Sequence, residues 1–202
     1  LVTRSDPSAQ KHKGLTYFFL DMKTPGVEAK PIKQISGSAN FNEVFFNDVR
    51  IPDSQRLGAE GDGWKVALTT LMNERLAVGD PPGLDFDQIF EATKEIEVED
   101  GLAIKNSEVR QKMADWYVQS RGLQYTKYRS MTALSKGQTP GPELSISKLV
   151  TASKMQEVSS YALDLMDMAG YVHHDKNPVM RNLFQNGYFF SAAMRIAGGT
   201  DE

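Results

Sequence analysis

Cysteine is absent from the 202 residues, which excludes disulfides and any Cys-ligated metal and fits a reducing, cytoplasmic compartment. Histidine is nearly as scarce, at three residues. Two of them stand side by side in His173-His174-Asp175. Neighbours on a loop rarely converge on one ion, so no metal site is expected. Long hydrophobic runs are missing too. None approaches the roughly 18 residues that a membrane span needs, and no signal-peptide pattern opens the chain. Neither sign of charge dominates: 23 Lys and Arg stand against 26 Asp and Glu, for a net charge of -3. The basic residues are dispersed, which leaves no electrostatic footprint for nucleic acid. The chain starts at Leu1 rather than Met and runs directly into LVTRSD, as a fragment would, and it carries no internal repeat.

What is present suits a globular fold. With 40% hydrophobic and 24% charged residues, the chain can bury the core of one large domain or two small ones. The hydrophobic period changes along it. From Gly14 to about Pro52 the stretches GLTYFFLDM, VEAKPI and FNEVFFNDVRIP are rich in aromatic and branched residues, and Pro25-Gly26 and Gly37 punctuate them. An antiparallel sheet segment is expected there. From about Gly63 the spacing becomes helical, with Trp64, Ala67, Leu68, Leu71, Met72 and Arg75 on one face. Val109, Met113, Trp116, Tyr117 and Ser120 mark a second helix towards Leu134. TPGPE at 139–143 breaks the chain before a third helix over 143–169, and a fourth follows Asn177-Pro178 as far as Ile196. Residues 79–106, with PPG at 81–83 and EIEVED at 95–100, are expected to be irregular. The fold class is α+β: a partial antiparallel β-domain followed by an antiparallel, four-helix-bundle-like domain.

Several features look chemical and have plainer readings. Paired glycines in IAGGTDE can cradle a phosphate, but they equally end a helix. Met113, Trp116 and Tyr117 are core residues by default. Glu74 and Arg75 in LMNERLAVG read, on composition alone, as a solvated face.

The runs KHKGLTYFFLDMKTPGV, FNEVFFNDVRIP and GAEGDGWKVALTTLMNER, closed by IAGGTDE, together resemble the acyl-CoA dehydrogenase family, in order and in spacing. Its divergent actinobacterial members share the LTTL…ER and closing GGT(D/S)E pattern. The resemblance makes residues 1–55 the last part of that family's middle β-domain and 56–202 its C-terminal helical domain, truncated at its end. It implies FAD-dependent removal of two hydrogens from an acyl-CoA thioester, giving a trans-2-enoyl-CoA. A carboxylate takes the α-proton while hydride leaves the β-carbon. Such a base needs its pKa lifted by an apolar pocket, and the developing enolate needs donors aimed at the thioester oxygen.

Most members carry the base two residues before the Thr of the closing Gly-Thr, which here is Gly198. A minority carry it on the first helix of the C-terminal domain, where this chain has Glu74. The resemblance therefore makes Glu74 the base and Gly198 a backbone N–H donor to the thioester oxygen. Met72, Asn73 and Arg75 would lie along the substrate and its CoA, with Asn73 where many members have Asp. Thr200, Asp201 and Glu202 match the closing segment that contacts FAD. Electron-transfer flavoprotein is the implied acceptor, and a dimer or tetramer the implied assembly.

Two departures count against a complete cofactor site. The Arg-x-x-Phe-Gly motif for the flavin pyrophosphate is not found between residues 79 and 106. Gln-x-x-Gly-Gly-x-Gly, for the adenosine half, is replaced by DLMDMAG, with only Gly170 in register. A second reading thus stands beside the first: a non-catalytic or half-site subunit of a heteromeric dehydrogenase.

Overall fold

The structure, a computed structural model, describes residues 1–77, 84–138, 141–172 and 179–200, without the side chains of 74–77, 144 and 179–181. It divides into two compact units, Leu1–Ala77 and Val78–Glu202, each described by itself.

The first unit holds five strands and one helix. Strands β1 (Val2–Arg4), β2 (Leu15–Phe18) and β5 (Arg56–Leu57) form an antiparallel sheet in the order β1-β2-β5. Strands β3 (Val27–Ile32) and β4 (Phe41–Phe46) form a separate hairpin in which Val27 faces Phe46 and Ile32 faces Phe41. The strand-rich period is thus antiparallel as expected, but it is split between two sheets rather than gathered in one. Strands β1 and β5, of three and two residues, are too short to leave a period in the sequence. They exist because tertiary partners complete them: the Leu1 nitrogen donates to the Phe18 carbonyl at 2.9 Å, and Arg56 pairs with Phe18.

Helix α1 (Gly63–Ala77) starts against β2, where a Cβ on Gly63 would come within 2.7 Å of the Leu15 and Thr16 backbone. Only glycine permits that approach. Thr16 is fully buried, and its hydroxyl accepts the Gly61 N–H at 3.2 Å and shares a 2.6 Å bond with Ser5. The apolar face expected on α1 is real but uncovered, with Trp64, Leu68, Leu71 and Met72 all more than 40% exposed. Among the described residues of this unit no hydrophobic side chain is fully buried.

The second unit contains the core. Helix α3 (Ser107–Ser135) is capped by Asn106, whose side chain accepts the Glu108 and Val109 N–H groups. Helices α4 (Glu143–Leu165) and α6 (Val179–Ile196) follow. Contacts pair residue 116 with 157 and 120 with 154, so α3 and α4 are antiparallel. Lys148 meets Arg195 and Ser159 faces Gly187, so α4 and α6 are antiparallel as well. Val109, Met113 and Trp116 close on Met155, Val158, Ala162 and Phe184 to form the centre of the core. Tyr117, expected with them, is 45% exposed.

Two expectations need correction. Residues 79–106 are not uniformly irregular: they include helix α2 (Phe86–Thr93) and a hairpin of strands β6 (Glu97–Val98) and β7 (Gly101–Leu102). Helix α2 forms because Asp85 and Gln88 make a reciprocal capping box and Ile89, Ala92 and Thr93 are buried. The third helix ends at Leu165 rather than 169. Asp167 turns to φ 50° and ψ -142°, and a single further turn, α5 (Met168–Tyr171), follows. Among the described residues no strand lies between 108 and 196.

Candidate functional site

Helix α1 brings positions 72 to 75 to successive 100° steps around one axis. Met72 is 44% exposed, available to a ligand or a covering surface. Asn73 is turned back on its own helix, its Nδ2 donating to the Thr69 carbonyl at 2.9 Å. The helical backbone runs through Glu74 and Arg75, and their side chains lie outside the described residues. So do His173, His174, Asp175, Asp201, Glu202 and the breakers at 81–83 and 139–140.

The closing segment is described as far as Thr200, which is exposed. Helix α6 ends in two left-handed residues, Gly198 at φ 70° and Gly199 at φ 121°. Such residues end a helix without strain only as glycine. The Gly199 N–H donates to the Ile196 carbonyl at 3.2 Å and the Ala197 N–H to Ala193 at 2.8 Å. Between them, the N–H of Gly198 has no acceptor among the described residues. A Cβ on Gly198 would meet nothing within 4 Å. The helix-end reading of the paired glycines therefore describes the backbone, and it leaves one donor uncommitted.

Lys148 holds this turn from α4. Its Nζ donates to the carbonyls of Arg195, at 3.0 Å, and Gly199, at 2.5 Å. Sequence reasoning passed over Lys148, yet a signal was there. Lys148, Ala152, Met155, Ser159 and Ala162 fall on one stripe of α4, and the last four are buried, so a lysine stands in line with the core.

Gly170 is buried for a packing reason. A Cβ there would lie 2.3 Å from the Leu163 carbonyl oxygen, and its own carbonyl accepts from Gln185 Nε2 at 2.7 Å. The carboxylates of DLMDMAG, Asp164 and Asp167, precede it in sequence, and Asp164 accepts the Tyr171 hydroxyl at 2.5 Å. Carboxylates at this turn would repel a flavin diphosphate, whereas a ribose hydroxyl could donate to them.

A polar cavity of about 290 Å³ lies between α2, α3 and α4, lined among others by Asp85, Ser120, Arg121, Thr151 and Lys154. The Lys154 side chain is 2% exposed, and its Nζ donates to Asp85 Oδ1 at 2.6 Å and to Ser120 Oγ at 2.8 Å. Ser120 also donates to Asp85. Partial burial raises the Asp85 pKa, but the hydrogen bonds from Lys154, Ser120 and the Phe86 N–H outweigh it and hold the carboxyl below its usual value. Asp85, Ser120 and Lys154 satisfy one another, which makes them a tie between three helices, while the Arg121 Nε in the same wall is buried with no hydrogen-bond partner among the described residues. Among the described residues no three His, Asp or Glu side chains are placed to hold a metal, and no helix is long and apolar enough to cross a membrane.

Comparison with known proteins places this geometry. Residues 61–202 match the family model for the C-terminal domain of acyl-CoA dehydrogenases. Acyl-CoA dehydrogenase FadE34 of Mycobacterium tuberculosis is 31% identical over 100% of this chain and 26% of its own length. Acyl-CoA dehydrogenase IpdE1 of Mycolicibacterium smegmatis is 32% identical over 100% of this chain and 49% of its own. The chain thus spans half or less of these relatives. The crystal structure of the ChsE4-ChsE5 complex from Mycobacterium tuberculosis shares the fold, with a TM-score of 0.79 at 17% identity over 100% of this chain and 52% of that one.

Proposed function

Since the chain belongs to the acyl-CoA dehydrogenase family, we propose that it is part of a flavin-dependent enzyme that oxidises an acyl-CoA thioester to a trans-2-enoyl-CoA, with Glu74 as the base. The observation that carries this reading is the Gly198 turn. An enzyme whose base sits on α1 needs no side chain at the end of α6, only an N–H free to meet the thioester oxygen. Among the described residues, Gly198 supplies an N–H without an acceptor and room where a Cβ would stand.

The chemistry assigned to these residues is short. Glu74 takes the α-proton, and charge moves onto the thioester oxygen. The Gly198 N–H donates to that oxygen as the charge develops, where a donor contributes more than it does to the neutral carbonyl. Met72 offers apolar surface to the acyl chain or the pantetheine, and Arg75 pairs with Glu74 or with a phosphate of CoA. Asn73 reaches substrate only by giving up its bond to Thr69. Thr200, Asp201 and Glu202 would hold FAD in part, and the bound flavin would supply the acceptor for the β-hydride. An oligomer, electron-transfer flavoprotein as electron acceptor and a cytoplasmic location complete the proposal, together with the division of the chain into 1–55 and 56–202.

A specific observation favours a second reading. The Gly170 turn is packed against Leu163 and the Asp164 carboxylate beside it is taken by Tyr171, which suits a subunit whose neighbour-facing cofactor contacts have been lost. In a heteromeric assembly a different chain would complete that site.

The test is Glu74→Gln in the full-length protein. Flavin content and ligand binding should persist, because shape and size are kept, and turnover should fall by about 10² to 10⁴-fold. Adding Gly198→Glu should return part of the activity; the site has room, and the left-handed φ costs about 1–2 kcal/mol. Near-normal turnover in Glu74→Gln would sink the base assignment. Flavin stoichiometry of one per two subunits in a mixed complex would favour the half-site reading.

A further inference from the structure

The geometry points to Lys148 as the positioning residue for the thioester-oxygen donor, a role that rests on the dehydrogenase reading above. Its ammonium reaches from α4 to the carbonyls of Arg195 and Gly199, one before and one after Gly198. The two bonds straddle the peptide whose N–H has no acceptor among the described residues. Two left-handed glycines in succession give residues 198 and 199 wide conformational freedom, and a Cβ built on either would meet nothing within 4 Å among the described residues. A donor carried by such a turn is useful only if its direction is set before charge develops, since reorientation during the reaction would consume the stabilisation. Side-chain packing does not set it; the backbone bonds from Ala197 to Ala193 and from Gly199 to Ile196 fix the turn on the helix side, and Lys148 is the side chain that ties its far carbonyl. The ammonium suits this position, because the carbonyls at the end of α6 carry the negative end of the helix dipole. Lys148 itself is fixed by its place on the buried stripe of α4, in line with Ala152 and Met155.

Lys148 touches neither substrate nor flavin in this account. It acts through Gly198, and its removal should change the acidity of the bound thioester more than its binding.

The experiment uses the full-length protein with Lys148→Met and Lys148→Arg, and a 3-thiaacyl-CoA probe that loses its α-proton without transferring hydride. The enolate's charge-transfer absorption with the flavin, followed against pH, reports the α-proton acidity. Amide exchange of segment 196–200 reports the order of the turn. Lys148→Met should raise the pH midpoint of the band by about one to two units, lower kcat about 10- to 100-fold with KM changed much less, and speed exchange in 196–200 about tenfold. Lys148→Arg, which keeps a cation of similar reach, should recover most of each effect. Faster exchange with an unchanged midpoint would make Lys148 merely structural and overturn the proposal, as would unchanged exchange. A wild-type protein that gives no band removes the dehydrogenase reading and this role with it. A normal wild-type band with no shift in Lys148→Met overturns the Lys148 role alone.

Discussion

Lys154 and Asp85 share one ion pair but not one environment: the lysine side chain is 2% exposed and the aspartate 54%, across a 2.6 Å contact. The two partners should therefore differ in what their removal costs. Without Lys154, Asp85 is hydrated from its exposed side and still caps α2, so Lys154→Met should destabilise the protein by only about 1 kcal/mol. Without the carboxylate, a buried ammonium keeps only a hydroxyl for company, and Asp85→Ala should cost about 3–5 kcal/mol. Urea unfolding of the two variants checks the order. Equal costs, or the reverse order, would show that the pair is wetter than its geometry implies.

The same pair makes stability depend on acid. Hydrogen bonds hold the Asp85 carboxyl below its ordinary value against the opposing effect of partial burial. A depressed carboxylate contributes stability that is fully present above its unfolded value, about 3.9, and that is lost as pH falls through the lower folded value. The stability gap between wild type and Asp85→Asn should thus be constant from about pH 7 to 5 and shrink below about pH 4. A gap that persists undiminished at pH 2.5 would mean that the charge of Asp85 is not what stabilises the tie.

Asp167 holds φ at 50° with ψ at -142° and makes no side-chain capping bond. This is backbone that glycine adopts freely and other residues only under strain. In the resemblance described above, Asp167 stands where the family motif has its first glycine. Asp167→Gly should stabilise the protein by about 1 kcal/mol, the relief of strain exceeding the entropy that glycine adds to the unfolded chain. A loss of stability in that variant would reveal a contact of the Asp167 carboxylate that outweighs the strain.

How much of this was legible depends on how local each cause is. The long helices announce themselves because their periods extend over many turns: Val109, Met113 and Trp116 are spaced as a buried face and are buried. Helix α2 was missed although Asp85 and Gln88 spell a capping box, since eight residues offer little periodicity and the flanking prolines and acids dominate the composition. The break after Leu165 has no proline or glycine to mark it; Asp167 adopts a glycine-like conformation that no propensity anticipates. At the site, the motif led to Gly198, while the stripe of α4 could mark Lys148 as unusual but only a tertiary contact between residues 51 apart shows what it holds. The capping tie of Asp85, Ser120 and Lys154 was hidden for the same reason, being drawn from three helices.

Gly63 does more than admit α1 to β2. Its backbone lies against that of Leu15 and Thr16, so the first turn of the helix is clamped to the sheet with no side chain between them to yield. Position 74 is eleven residues further on, about 16 Å along the axis at 1.5 Å per residue. Over that lever arm, a tilt of about 5° at the clamp becomes a displacement of about 1.4 Å at its tip, by the same rise per residue. The place of the α1 backbone at residue 74 is thus decided at the far end of its helix, by an atom that glycine does not have.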